Sequence, residues 1–152
     1  MYQRVRFDLP KSKPLVSIII PTKDRKDLLS CCIDSIINKS SYTNYEIIIV
    51  NNNSSEKETI DFLNSIQSSK IKIIHDNSPF NYSALNNRAA ALANGSILCL
   101  MNNDIEIISP DWLEEMISFA AREDIGCVGA RLWYPSSKVQ HAGVIIGLGG
   151  VA

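Results

Sequence analysis

Two short β-branched runs limit the folds open to this chain more than any other feature: Leu15 to Ile20, and Glu46-Ile47-Ile48-Ile49-Val50. Neither alternates strictly between apolar and polar residues, so neither suits a strand with one wet face. Each suits a strand covered on both faces, as in a parallel sheet. Each is also followed by a polar cluster, Thr22 to Arg25 after the first and Asn51 to Ser55 after the second. Two more strands are predicted over Ile71 to Ile74 and Ile97 to Met101, followed by the polar stretches His75 to Asn77 and Asn102 to Glu106. Pro21 is expected to stop the first strand.

Helical patterns fill the intervals. Leu28, Leu29, Cys32, Ile33, Ile36 and Ile37 recur at helical spacing, with Thr22 or Asp24 as the expected cap. A second helix is expected over Glu56 to Ser65, with Ile60, Leu63 and Ile66 facing inward and Asn53 or Ser54 capping it. A third covers Tyr82 to Ala93, with Gly95 placed to end it, and a fourth runs from Asp111 to Ala121 behind Pro110. Ile125 to Leu132 reads as a fifth strand and Pro135 to Gln140 as a turn, ahead of the apolar, Gly-rich stretch Val144 to Ala152. Residues 1–14 read as an N-terminal arm or leader and residues 15–152 as one domain.

Strands alternating with helices imply βαβ units and a mostly parallel sheet flanked by helices, a Rossmann-like α/β fold. Such sheets bind ligands beyond the carboxyl ends of their strands. One Asn- and Asp-rich cluster would be an ordinary turn. Four, each after a successive strand, point to a shared site. The first strand is followed by Pro21-Thr22-Lys23-Asp24-Arg25, which is neither the glycine-rich turn of a dinucleotide fold nor a P-loop.

Bulk properties narrow the function classes. The 152 residues carry a net charge of -1, which gives no general attraction for nucleic acid or anionic membranes. No apolar run approaches the roughly 20 residues needed to span a bilayer. The chain is expected to be cytoplasmic, with peripheral attachment at the inner face of the membrane left open. The cysteines Cys31, Cys32, Cys99 and Cys127 have no metal-binding or CxxC spacing, and they read as reduced, mostly buried thiols.

The order of the segments then becomes specific. Val16 to Arg25, Tyr45 to Ser55, Asn87 with Ala93 and Gly95, Leu100-Met101-Asn102-Asn103-Asp104-Ile105-Glu106, and His141-Ala142-Gly143 together resemble the family 2 inverting glycosyltransferases of the GT-A fold. The resemblance is nearest to bacterial rhamnosyltransferase-like and polysaccharide-synthesis enzymes. It implies a nucleotide-diphosphate sugar donor, UDP- or TDP-linked, a glycan or lipid-linked acceptor, and a divalent Mg or Mn cofactor. Asp104 matches the last aspartate of the family's Asp-x-Asp motif and is the expected metal residue, with Glu106 as a second carboxylate nearby. Asn102 stands where the family usually has aspartate, and Asn103 lies beside it.

The resemblance also implies that Asn52, and Asn51 beside it, read the nucleobase. On the same basis Thr22, Asp24 and Arg25 touch the nucleotide from the first loop. Asn87 belongs to the helical element. Arg88 is expected to supply the charge that the family often carries at the position of Asn86. An inverting transfer also needs a base for the acceptor hydroxyl, and no Asp or Glu follows Asp124. The chain is therefore expected to be truncated at its C-terminus, with the base beyond residue 152 and little activity alone. Two other readings stay open: a degenerate, non-catalytic nucleotide-sugar binding module, and a nucleotidyltransferase.

Overall fold

A computed structural model describes residues 5 and 7–143. Its elements run β1 (Val16–Thr22), α1 (Lys26–Lys39), β2 (Tyr45–Asn51), α2 (Lys57–Ser65), β3 (Ile71–His75), α3 (Tyr82–Ala90), β4 (Ile97–Leu100), α4 (Trp112–Ala120), β5 (Leu132–Trp133) and β6 (Val139–His141). The first four strands form one sheet in the order β3-β2-β1-β4, and every pairing in it is parallel. The α/β architecture anticipated from the alternating runs is therefore the one present.

The continuous apolar runs are buried on both faces, as their composition demands. Val16, Ile18 and Ile20 of β1 and Ile47 and Ile49 of β2 face a core shared with Leu29, Ile33 and Ile36 of α1, Leu63 of α2, and Leu113 and Ile117 of α4. Ile19, Ile48 and Val50 face the other way, against Leu85 and Ala89 of α3. This second layer is thinner, and Leu98 and Leu100 of β4 remain 47% and 53% exposed. Two core predictions change. Ile37 of α1 and Ile60 of α2 are exposed, and Thr59 is buried beside Leu63 on the inner face of α2.

Pro21 does not stop β1, which continues to Thr22. Odd-numbered residues of β1 bond toward β4 (Met101 N–H to Ile19 O, 2.9 Å) and even ones toward β2 (Asn52 N–H to Thr22 O, 2.8 Å). The missing N–H of Pro21 therefore faces the side where β4 has already left the ladder after Leu100. A proline there sacrifices no sheet hydrogen bond.

Other boundaries differ for local reasons. Ile125 to Arg131 carries no strand among the described residues; only Leu132–Trp133 is extended, pairing antiparallel with β6. The helix caps also move. Arg25, Glu56 and Asp111 occupy the N-cap positions of α1, α2 and α4 without side-chain capping bonds. Asn81 caps α3 by accepting from the Ala84 N–H at 3.0 Å. Cys32 is buried, with its thiol pushed up to about 12 by desolvation, whereas Cys31 and Cys127 are exposed. The N-terminal arm packs onto α4 through an edge-on contact of Phe7 with Phe119, ring centroids 5.0 Å apart. Residues 144–152, the predicted Gly-rich stretch, lie outside the described residues. Among the described residues no helix is long and apolar enough to cross a membrane.

Gly95 has a different role from the helix stop expected of it. Helix α3 ends at Ala90, and Gly95 instead lies against the N-terminal half of β1. Its N–H donates to Ser17 Oγ at 2.9 Å, and Ser17 Oγ donates to Glu46 Oε1 at 2.6 Å. Glu46 also accepts from the backbone and side-chain amides of Asn94, at 2.7 and 2.9 Å. A Cβ at residue 95 would lie 2.6 Å from the Ser17 backbone nitrogen and 2.7 Å from Leu15 O. Gly95→Ala is therefore expected to destabilise the fold by about 3 kcal/mol, because the clash is with the central strand. Urea unfolding would read this as a lower midpoint, and an unchanged midpoint would refute the close approach.

Candidate functional site

In the strand order β3-β2-β1-β4, the chain runs from β1 outward through β2 to β3 and then crosses back to β4 on the other side of β1, so the crevice between the ends of β1 and β4 is the topological switch point. Thr22, Asn51 and His75 sit in register at the ends of their strands. A cleft of about 370 Å³ opens beyond them. Its walls come from the β1–α1 loop (Pro21, Thr22, Lys23, Arg25), the end of β2 (Asn52), the start of α3 (Phe80, Tyr82, Leu85) and the turn after β4 (Asn102, Asn103, Asp104), with Leu28 below. One hydrogen bond spans the switch point, from Asn103 Nδ2 to Thr22 Oγ1 at 2.9 Å.

The structure sorts the expected site residues into those that face the cleft and those that build it. Thr22, Arg25, Asn52, Asn102, Asn103 and Asp104 face it. The Asp104 side chain makes no hydrogen bond or ion pair among the described residues. The Arg25 guanidinium is exposed and bonds Asp27 at 3.1 and 3.0 Å.

Asp24 holds two loops together. Its Oδ1 accepts from the N–H groups of Ser55 (2.7 Å) and Glu56 (2.8 Å), and its own N–H donates to Ser54 Oγ at 2.8 Å. Arg25 N–H completes the clasp by donating to Glu56 Oε2 at 3.2 Å. These bonds hold Asp24 and Arg25 in left-handed backbone, at φ 54° and 58°. L-residues rarely adopt that region without compensating contacts. The Glu56 N–H, followed by that of Ser55, holds the Asp24 carboxyl below its ordinary value.

Asn51 and Asn52 are buried and divide their work. Asn51 Oδ1 accepts from Ser54 N–H at 3.1 Å and its amide nitrogen lies 3.3 Å from His75 Nδ1, so Asn51 shapes the turn. Asn52 Nδ2 donates to two backbone carbonyls, Asp76 O and Ser78 O, each at 2.9 Å. Carbonyls only accept, so this pairing orients the amide unambiguously. Both donors are used, and Oδ1, an acceptor, is the polar atom left for a ligand. Asn52 can therefore offer a base edge an acceptor alone.

Three expected residues lie apart from the cleft. Arg88 donates through Nε to Asp76 Oδ2 at 2.5 Å and through Nη2 to Ser78 Oγ at 2.8 Å, so its charge is spent on the β3–α3 loop. Asn87 is exposed on α3 and does not line the cleft. Glu106 pairs with Lys39 at 2.7 Å and lines a separate shallow groove along α1. The chain turns at Asn103–Asp104, and Ile105 and Ile107 then pack into the core, which carries Glu106 beside α1. Lys23, Phe80 and Tyr82 line the cleft without having been singled out from sequence. The signal for Phe80 was slight: a lone aromatic between the turn residues Pro79 and Asn81.

A divalent ion can be tested against this donor set. Among the described residues no group of three His, Cys, Asp or Glu side chains converges. One carboxylate, Asp104, and the amides of Asn102 and Asn103 face the cleft. Hard ions such as Mg²⁺ are commonly held by one or two carboxylates together with substrate phosphates. The residues fit an ion that arrives with a diphosphate, and they do not form an all-protein cage.

Residues 17–144 match the family described as glycosyl transferase family 2, and the chain belongs to that family. It is 50% identical over 141 residues to protein y4gI of Sinorhizobium fredii, covering 91% of this chain and 16% of that protein. It is 43% identical over 150 residues to the O-antigen biosynthesis protein RfbC of Myxococcus xanthus, covering 98% of this chain and 12% of that one. The chain thus spans less than a fifth of the length of either relative. Its fold matches that of the mannosyltransferase PcManGT of Pyrobaculum calidifontis, solved with GDP-Man and Mn²⁺, at a TM-score of 0.67 and 18% identity over 81% of this chain and 38% of that one.

Two outcomes follow from this geometry. Asn52→Asp places a carboxylate oxygen against two carbonyls and removes two hydrogen bonds, so it is expected to cost about 1–3 kcal/mol in urea unfolding. A fully stable Asn52→Asp would mean that the amide is not committed to the β3–α3 loop. The Asp24 carboxyl titrates below its ordinary 3.8 in the folded chain. Its contribution is therefore complete above about pH 4 and is lost as pH falls through the depressed folded value. Thermal unfolding followed by circular dichroism should show a steeper fall in Tm below about pH 4 for the wild type than for Asp24→Ala; parallel curves would exclude the clasp.

Proposed function

We propose that this chain is the donor-binding part of a glycosyltransferase that moves a sugar from a nucleotide-diphosphate sugar, UDP- or TDP-linked, to a glycan or lipid-linked acceptor hydroxyl with inversion. The observation that carries the reading is the cleft at the β1–β4 switch point, where Thr22, Asn52 and Asp104 come together from three strand ends. Family membership supplies the reaction class.

Transfer requires that the leaving diphosphate be held and its growing charge offset. Asp104, with the amide oxygens of Asn102 and Asn103, would hold a divalent ion such as Mg²⁺ or Mn²⁺, whose chemistry when bound is to offset that charge. Lys23 and Arg25 bring positive charge to the cleft from the β1–α1 loop, where the Arg25 guanidinium would exchange its exposed partner Asp27 for phosphate oxygens. Thr22, oriented by Asn103, holds the β1 side of the crevice. Asn52 offers its Oδ1 to the donor. Proton acceptance from the incoming hydroxyl belongs, within this proposal, to a carboxylate outside residues 1–152.

A second reading has one observation in its favour: Asn102 stands where the resemblance implies an aspartate, which suits a non-catalytic nucleotide-sugar binding module. Isothermal titration with UDP and TDP, with and without Mn²⁺, separates the two. The transferase reading expects binding that strengthens with Mn²⁺ and falls at least tenfold in Asp104→Ala, as loss of a charge-assisted contact of about 1.5–3 kcal/mol implies. Weak binding indifferent to metal and to Asp104→Ala would instead favour the module.

A further inference from the structure

Phe80 is 72% exposed, yet it sits on one of the most heavily tied loops of the chain. Two residues before it, Ser78 donates its N–H to Asp76 Oδ1 at 2.9 Å, its hydroxyl bonds the same carboxylate, and it accepts from Arg88 Nη2 at 2.8 Å. The Ser78 carbonyl accepts from the side chains of Asn52 (2.9 Å) and Asn53 (3.1 Å). One residue after Phe80, Asn81 caps α3. The ring is thus held between two anchored points instead of swinging on a loose turn.

A single exposed aromatic is unremarkable on a protein surface. Phe80 differs because it lines the cleft, with Tyr82 beside it and 42% exposed, and because the loop that carries it is bonded to Asn52. The cleft has two chemically distinct walls. Asn102, Asn103 and Asp104 supply oxygen donors from the end of β4, whereas Phe80, Tyr82 and Leu85 supply rings and apolar surface from the start of α3. Asn52, tied to the loop of the second wall, presents an acceptor there. A flat heterocycle with a ring N–H on its edge satisfies both features of that wall, stacking on an aromatic face and donating to a fixed carbonyl oxygen.

We propose that Phe80 is a specificity-determining residue that stacks on the nucleobase of the donor and so sets the base's ring N–H against the Asn52 Oδ1 already assigned to the donor. The proposal rests on the donor-binding reading above and adds to it the residue that holds the face of the base. Bases with a ring N–H at that edge, uracil, thymine or guanine, are accepted ahead of cytosine and adenine, whose corresponding ring nitrogen is itself an acceptor. The diphosphate then extends toward Asp104.

The test is titration of the 152-residue chain with UDP, TDP, GDP, CDP and ADP in Mn²⁺, with inorganic pyrophosphate and Mn²⁺ as a probe that lacks the base. Phe80→Ala is expected to weaken the best-bound nucleoside diphosphate by about tenfold, the scale of one base–aromatic stack, and to leave pyrophosphate binding unchanged. Phe80→Trp should restore affinity, and its added indole fluorescence should be quenched on binding. Equal nucleotide affinity in wild type and Phe80→Ala, or an equal loss for pyrophosphate, overturns the role of Phe80 while donor binding stands. Tighter binding of CDP and ADP than of UDP, TDP and GDP overturns the base class. A wild-type chain that binds no nucleoside diphosphate overturns the donor reading and this inference together.

Discussion

The separation of β1 from β4 is the constraint on which the site depends. The two strands pair from Val16 with Ile97 to Ile19 with Leu100, and one further bond, Met101 N–H to Ile19 O, closes the ladder. Beyond it the next position on β1 whose backbone points toward β4 is Pro21, which has no N–H to offer. β1 stays paired with β2 to Thr22, while the chain after β4 is released into the Asn102–Asp104 turn. An open crevice between parallel neighbours is what the sheet itself would otherwise close, and a proline at this register keeps it open at no cost to the ladder.

The walls of that crevice are held from outside it. Asp24 ties the β1–α1 loop to the start of α2, and Asn52 ties the end of β2 to the β3–α3 loop, where Asp76 and Arg88 complete the network. Each tie joins segments that meet only because the parallel sheet aligns their strand ends. Side-chain hydrogen bonds of this kind contribute modestly to net stability, about 0.5–1.5 kcal/mol each, and the part-buried ones of Asn52 leave the more expensive vacancy when a partner is lost. Their larger effect is to limit motion of the groups that face the cleft. Asp104, by contrast, is an acidic side chain at the cleft with no hydrogen-bond or ion-pair partner among the described residues.

Division of labour among the polar residues explains why their number exceeds what one ligand could use. Asn51, Asp24 and Arg88 shape the loops; Asn52, Asn103 and Thr22 both shape and face the cleft; Asn102 and Asp104 face it. The amide of Asn52 supplies two donors that a carboxylate at this position could not, and both bind the loop that presents Phe80.

Much of this was legible in the residues themselves. Continuous runs such as Ile47 to Val50 must be buried on both faces, and their alternation with helical spacing leaves a parallel α/β sheet as the economical solution. That topology places the polar clusters at one end, so the position of the cleft followed without coordinates, while Asp104 was singled out by the resemblance of Asn102-Asn103-Asp104 to the family motif. Direction and partnership of individual side chains did not follow. Glu106 lies two residues from Asp104, yet packing of Ile105 and Ile107 carries it to Lys39; Arg88 turns to Asp76; Gly95 meets β1, not a helix end. Phe80 becomes part of the cleft because its loop is tied to Asn52 and Asn53, 28 and 27 residues earlier. Hydrophobic period and turn chemistry are local and survive in a linear reading. The choice of hydrogen-bond partner is made through space, between segments that the sheet brings together, and only the tertiary structure decides it.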